Sequence, residues 1–160
     1  MDLKTQDTSI QVWGLHRSGT NFVEWLIRNN IKNNNYERRE ARSLFHGKQD
    51  ALKHCYPDIT RAQYHICIYK PIEDWMISHD RYTMKKLIDP RDAYYKWVSL
   101  AMDLKEEYPD RVALVDYNDF LGKELYYFRS WGWDIEYEDI WKVPIKRLGK
   151  GSGTNYEGDD

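Results

Sequence analysis

The chain of 160 residues with 41% hydrophobic content fits one globular domain, 1–160, large enough that neither a metal nor a disulfide framework is needed to hold a core. Twenty-four Lys and Arg against 26 Asp and Glu leave a formal charge of -2, which lacks the basic excess used to track a nucleic-acid backbone. The longest apolar run, Val112 to Val115, is far short of a membrane span of about 20 residues. Met1 to Asp7 is polar and acidic, unlike a secretory leader. Cys55 and Cys67 form no C-x-x-C pair, which excludes a finger or ribbon zinc site and favours a reducing compartment. The expectation is a soluble cytoplasmic protein with no nucleic-acid or membrane partner, its ends 1–8 and 150–160 flexible.

In chain order, Ser9 to Gly14 is a β-branched and aromatic run ending at glycine, which predicts a buried strand. Helical spacing of Phe22, Trp25 and Leu26 predicts a helix from Thr20 to Arg28. The Asn-rich tract Asn29 to Asn35 reads as a loop. Arg42 to Phe45 suits a short second strand. Tyr64 to Tyr69 suits a third, closed by Pro71. A helix from Glu73 to Leu87 would place Trp75, Ile77 or Ser78, and Tyr82 on neighbouring turns. Pro90 opens another through Tyr94, Trp97, Val98, Ala101 and Leu104, stopped by Pro109. Arg111 to Tyr117 is the clearest core strand, and Asp119 to Ser130 reads as a helix with Leu121, Leu125 and Phe128 inward. The alternation predicts an α/β fold, a three-layer α/β/α arrangement around a central parallel sheet, with ligands beyond the carboxyl ends of the strands.

Gly14-Leu15-His16-Arg17-Ser18-Gly19-Thr20-Asn21 joins the first strand to the first helix with the G-x-x-x-x-G spacing of a phosphate-cradling loop, a P-loop-like strand-loop-helix. Backbone N–H groups and the positive end of the helix dipole would converge there on an anion. A nucleotide triphosphatase needs Lys and then Ser or Thr after the second glycine, whereas this chain has Thr20 and Asn21. Its cation, Arg17, lies inside the loop.

The run His16 to Phe22 resembles the 5′-phosphosulfate loop (P-K-S-G-T-T-W, P-R-S-G-T) of the sulfotransferases that use 3′-phosphoadenosine 5′-phosphosulfate (PAPS) and release 3′-phosphoadenosine 5′-phosphate (PAP). The resemblance implies that Arg17 meets the oxygen bridging to sulfur, that Ser18, Gly19, Thr20 and Asn21 wrap the 5′-phosphate, and that Phe22 stacks on adenine. Lys70 to Ser78 is similar to the family's R-x-P-x-D-x-x-x-S segment, with Lys70 and Ser78 on the 3′-phosphate, although the proline comes one residue early. Lys offers a point charge there in place of a bidentate Arg. Asp116 to Leu121 resembles R-Y-E-D-L-L, which implies that Tyr117 approaches adenine. Arg147, Lys150 and Gly151 echo the C-terminal R-K-G contact to the 3′-phosphate, at the start of a glycine-rich tail, Gly149 to Asp160, that also reads as a mobile end. The three main motifs fall in the family's order over residues 9 to about 130.

Sulfuryl transfer needs a base for the acceptor and cations for the leaving group, and no metal. A base titrating near neutrality points to histidine, and His16, His46, His54, His65 and His79 are available. His46, just past the second strand, would share the loop's sheet edge if the strands are parallel, and Phe45-His46-Gly47-Lys48 looks like a variant of the family's catalytic His. Lys48 would then help neutralise sulfate oxygens. His16 is the runner-up, at a place where the family usually has proline, and His65 reads as structural. The function implied is transfer from PAPS to a hydroxyl or amine of a small-molecule or glycan acceptor. The alternatives are a P-loop nucleotide kinase or hydrolase, and a non-catalytic module binding PAP or PAPS.

Overall fold

The computed structural model describes residues 9–32, 36–42, 49–81, 87–133 and 135. Three strands, β1 (Ile10–Trp13), β4 (Tyr64–Tyr69) and β5 (Val112–Asp116), form a parallel sheet in the order β1-β4-β5. Ile10 registers with Tyr64, and His65 with Val112. Helix α1 (Thr20–Asn30) follows β1, α2 (Ile72–Arg81) and α3 (Pro90–Glu107) follow β4, and α4 (Tyr117–Phe120) and α5 (Glu124–Ser130) follow β5. The fold is therefore α/β with a parallel sheet.

Period-2 alternation sends successive strand residues to opposite faces, and both faces are apolar. Ile10, Val12, Ile66, Ile68, Ala113 and Val115 join a core with Phe22, Val23, Leu26, Phe120 and Phe128. Trp13, Cys67 and Val112 join another with Trp75, Tyr94, Trp97 and Ala101. His65 lies on the latter face because both ring nitrogens are satisfied. Trp13 Nε1 donates to its Nδ1 at 2.9 Å, and its own Nε2 donates to the Ala62 carbonyl at 2.8 Å. Burial then holds its pKa below the usual imidazole value, so the ring is a neutral core element.

The expectations for the second strand, for the helix after β5 and for the Asn-rich tract are corrected. The second strand is β2 (Glu40–Arg42), and it pairs antiparallel with β3 (Gln49–Ala51) in a separate two-stranded ribbon. It does not lie in the parallel sheet, so the argument that parallel strands carry His46 to the loop's edge fails; residues 43–48 lie outside the described residues. The predicted helix from Asp119 to Ser130 is two helices. Asp116 caps α4 through the Asn118 N–H, and Gly122, at φ 82°, breaks the chain before α5. Phe120 is consequently buried while Leu121 is only half-buried. On α2 the buried positions are Trp75 and His79, one helical turn apart, and Ile77 is exposed; residues 82–86 lie outside the described residues. Asn29 and Asn30, read as loop, close α1, and Ile31 bridges to Ile135. No helix among the described residues is long and apolar enough to cross a membrane.

A buried polar network ties the ribbon side of the molecule to α1. Glu24, fully buried on α1, accepts from Lys53 Nζ, from Arg38 at 2.9 Å and from Tyr36 Oη at 2.6 Å. Burial alone would raise the Glu24 pKa, but Lys53 and Arg38 outweigh it and hold the carboxyl below its ordinary value. A carboxyl lowered in this way stabilises the fold above its ordinary pKa, and that stability is lost as pH falls through the lowered value. Removing one partner of a buried pair leaves an uncompensated charge, so Lys53→Met is expected to cost about 3–5 kcal/mol. Combining it with Glu24→Leu should recover much of that loss. Urea unfolding of the single and double variants checks both outcomes.

Candidate functional site

Because β1, β4 and β5 run parallel, their carboxyl ends share one edge, and the segments that follow them meet there. The Gly14–Gly19 loop leaves β1, Lys70 follows β4, and Tyr117 follows β5. Gly14 is where the strand passes under the loop. Its N–H donates to the Lys53 carbonyl at 2.8 Å, and a Cβ there would sit 2.6 Å from Thr20 Cγ2 and 2.9 Å from the Ile68 carbonyl oxygen. Gly19 has two reasons to be glycine. Its φ is 95°, in the left-handed region that disfavours a side chain, and a Cβ would overlap the ring of Tyr117. The loop after β1 and the segment after β5 are thus in direct contact through the absence of a side chain.

Arg17 is the non-glycine residue with positive φ among the described residues, at 69°. A left-handed conformation costs an L-residue roughly 1–2 kcal/mol, and such strain concentrates where a side chain is held for a ligand. The Arg17 charge is close enough to Lys70 to disfavour its cation. Burial first, and Arg17 second, bring the Lys70 pKa down to about 8, with Asp74 opposing them. Lys70 Nζ lies 3.4 Å from Ser78 Oγ on α2 and 5.1 Å from the centroid of the Tyr117 ring. Its carbonyl accepts from Tyr94 Oη. Asn118 Nδ2 donates to Asp74 Oδ2 at 2.7 Å, closing α4 against α2. Two cations, a hydroxyl and an aromatic face therefore gather beside the first turn of α1, which carries no acidic residue and no side-chain cap. In electrostatic terms that edge suits an anion.

The sequence-predicted residues divide as follows. Arg17, Gly19, Lys70, Ser78 and Tyr117 come together at this edge, with Ser18 and Thr20 buried in the loop itself. Asn21 turns its side-chain oxygen to Lys53 and to Arg38, at 3.0 Å from the latter, which joins it to the Glu24 network. Phe22 is fully buried, edge-on to Tyr117 and Phe120; the expected adenine-stacking ring is core. His46, Lys48, Arg147, Lys150 and Gly151 lie outside the described residues. Cys55 and Cys67 are free thiols whose pKa values burial pushes up, which makes both poor nucleophiles.

Behind the loop stands a group that sequence reading missed. The buried His16 ring is hydrogen-bonded through Nε2 to Asp50 of β3 and stacks on His54 with centroids 3.9 Å apart. His54 Nδ1 donates to the Gly14 carbonyl at 2.7 Å. Burial, with His16 and Lys53 nearby, holds the His54 pKa well below its usual value. Trp75 Nε1 donates to the His16 carbonyl at 2.8 Å, so α2 also supports the loop from below. Asp50 and Glu24 carry no local motif, since their partners stand 34 and 29 residues away in sequence.

Comparison of the chain with protein-family models, with curated proteins and with solved structures finds no match in any of the three.

The Gly19–Tyr117 contact yields a direct test. Gly19→Ala should destabilise the protein by more than about 1 kcal/mol through strain and overlap together. Adding Tyr117→Ala should recover the overlap part alone, giving a coupling of about 0.5–3 kcal/mol in a double-mutant cycle read by thermal unfolding.

Proposed function

We propose that the chain binds PAPS at the shared strand edge and transfers its sulfuryl group to a hydroxyl or amine of a small-molecule or glycan acceptor. The observation that carries this reading is the meeting of Arg17, Gly19, Lys70, Ser78 and Tyr117, drawn from the three sequence segments that resemble the sulfotransferase motifs. An apolar core on each face of the sheet, and a strand, a glycine-bounded loop and a helix in succession, support the finer architecture of three α/β/α layers with a P-loop-like first unit.

In this reading the N-terminus of α1 and the loop hold the 5′-phosphate, Lys70 and Ser78 hold the 3′-phosphate, and Tyr117 borders the adenine. The step breaks the bond between sulfur and the bridging phosphate oxygen and makes one between sulfur and the acceptor oxygen or nitrogen. The acceptor proton passes to His46, a role that rests on the resemblance of Phe45-His46-Gly47-Lys48 to the family's catalytic His alone, and the negative charge left on PAP is met by Arg17. The resemblance gives Lys48 the part of neutralising the sulfate oxygens. Positioning and electrostatic stabilisation of the leaving phosphate supply the acceleration, by analogy with phosphoryl transfer.

Calorimetric titration with PAP, beside ATP with magnesium, tests the pocket. PAP binding without an ATP response is the expected outcome, whereas ATP binding without PAP binding would transfer the case to a nucleotide kinase or hydrolase. Turnover of labelled PAPS then separates an enzyme from a silent binding module. His46→Ala should leave PAP affinity intact and lower turnover by about 10²-fold or more. Arg17→Gly relieves the left-handed strain, so its melting temperature should hold or rise while turnover is lost.

Affinity should also depend on alkali in a defined direction. The phosphates of PAP are already fully charged near neutrality, while Lys70 loses its proton as pH rises through about 8. PAP affinity should therefore fall across that pH. In Lys70→Arg the guanidinium keeps its charge, and the fall should disappear. For the unliganded fold the sign is opposite. A lysine whose pKa is lowered destabilises below about 8, and the penalty is relieved between that value and its ordinary 10.5.

A further inference from the structure

His16, Asp50 and His54 come from three separate segments: the loop after β1, strand β3, and the 3-10 turn Leu52–His54. One ligand-type atom of each lies within 4.8 Å of those of the other two. His16 and Asp50 are buried and His54 is partly so, which separates this group from the exposed acidic clusters common on protein surfaces. Two of the three side chains are also oriented by backbone groups. The Ala51 N–H donates to Asp50 Oδ1 at 2.8 Å, turning Oδ2 towards His16. His54 gives its Nδ1 proton to the Gly14 carbonyl, a tautomer that presents a lone pair at Nε2. Metal-ligating histidines and carboxylates are commonly fixed by such outer hydrogen bonds.

We infer that His16, Asp50 and His54 bind one divalent transition-metal ion, with zinc as the favoured occupant. Two imidazoles and one carboxylate are the nitrogen and oxygen donors that zinc takes, and three protein ligands leave a fourth tetrahedral position for water. The ion would replace the proton held between His16 and Asp50. It would tie β3 and the turn after it to the loop that carries Arg17, and so set the position of that loop without entering the sulfuryl-transfer step. The inference does not depend on the proposed function, because it concerns donors behind the loop and is read by metal binding alone.

The test uses the full chain stripped with a chelator and titrated with zinc, then with cobalt as a visible-absorbing substitute. One equivalent of zinc should bind, and cobalt should give the visible bands of a site with nitrogen and oxygen ligands. Two imidazole spin systems among the five histidines should shift in NMR spectra as zinc is added. His54→Gln and Asp50→Asn should each weaken zinc binding by at least about 10–100-fold, while His79→Gln should not. Failure of the wild-type chain to take up zinc or cobalt would overturn the site, as would equal affinity in the combined His54→Gln, Asp50→Asn variant. The NMR titration decides the matter on the wild-type chain alone if those variants fail to fold: no shifting imidazole means an ordinary hydrogen-bonded His–Asp pair.

Discussion

The buried pair of Lys53 and Glu24 is the constraint on which the arrangement around the first loop rests. Glu24 has no access to water, and a lone carboxylate in that position would be untenable. It is accommodated because Lys53 arrives from the turn after β3, and the same residue's carbonyl receives the Gly14 N–H. Side chain and backbone of one residue therefore fasten both ends of the strand-loop-helix unit, the helix through Glu24 and the strand end through Gly14. Arg38 and Tyr36 complete the shell around the carboxylate. With the loop held in this way, an arginine is kept in a conformation that an unsupported chain would leave.

The aromatic content has a division of labour that follows from its surroundings. Phe22, Phe120, Phe128, Trp131 and Trp133 make edge, tilted and, between Phe120 and Trp131, stacked contacts on one side of the sheet, avoiding the face-to-face sandwich that ring quadrupoles disfavour. On the other side, Trp75 and Tyr94 combine ring contact with directed hydrogen bonds, to the carbonyls of His16 and Lys70 respectively. The first group fills space. The second fixes backbone at the ends of strands, where small displacements would alter the separation between Arg17 and Lys70.

Much of the fold was legible because its signals are local. The β-branched runs ending at Gly14 and at Pro71, the proline that opens α3, and the apolar spacing of Tyr94, Trp97 and Ala101 each specify an element by its own residues. The loop residues at the strand edge were legible for the same reason, since Gly14, Arg17 and Gly19 state their geometry within six consecutive positions. What escaped were features settled by distant partners. Nothing near Asp50 announces His16, and nothing near Asn21 announces that its amide will face Lys53. The break at Gly122 was masked by helical spacing on both sides of it, although a positive-φ glycine ends a helix whatever the periodicity around it. The second strand was misassigned to the main sheet because a short strand does not encode its neighbour.

The parallel order β1-β4-β5 also governs how the molecule comes to exist. Ile10 must find Tyr64, and Ile66 must find Ala113, so each pairing closes a long loop whose entropy is lost before any contact rewards it. The central strand is therefore the seam along which assembly proceeds, with β1 waiting for it and β5 arriving last in chain order. Since the strand edge draws one segment from each of the three, it is complete only when all three strands are paired. Occupancy of that edge thus requires both strand pairings, and a molecule bound there would count only chains in which β1, β4 and β5 have come together.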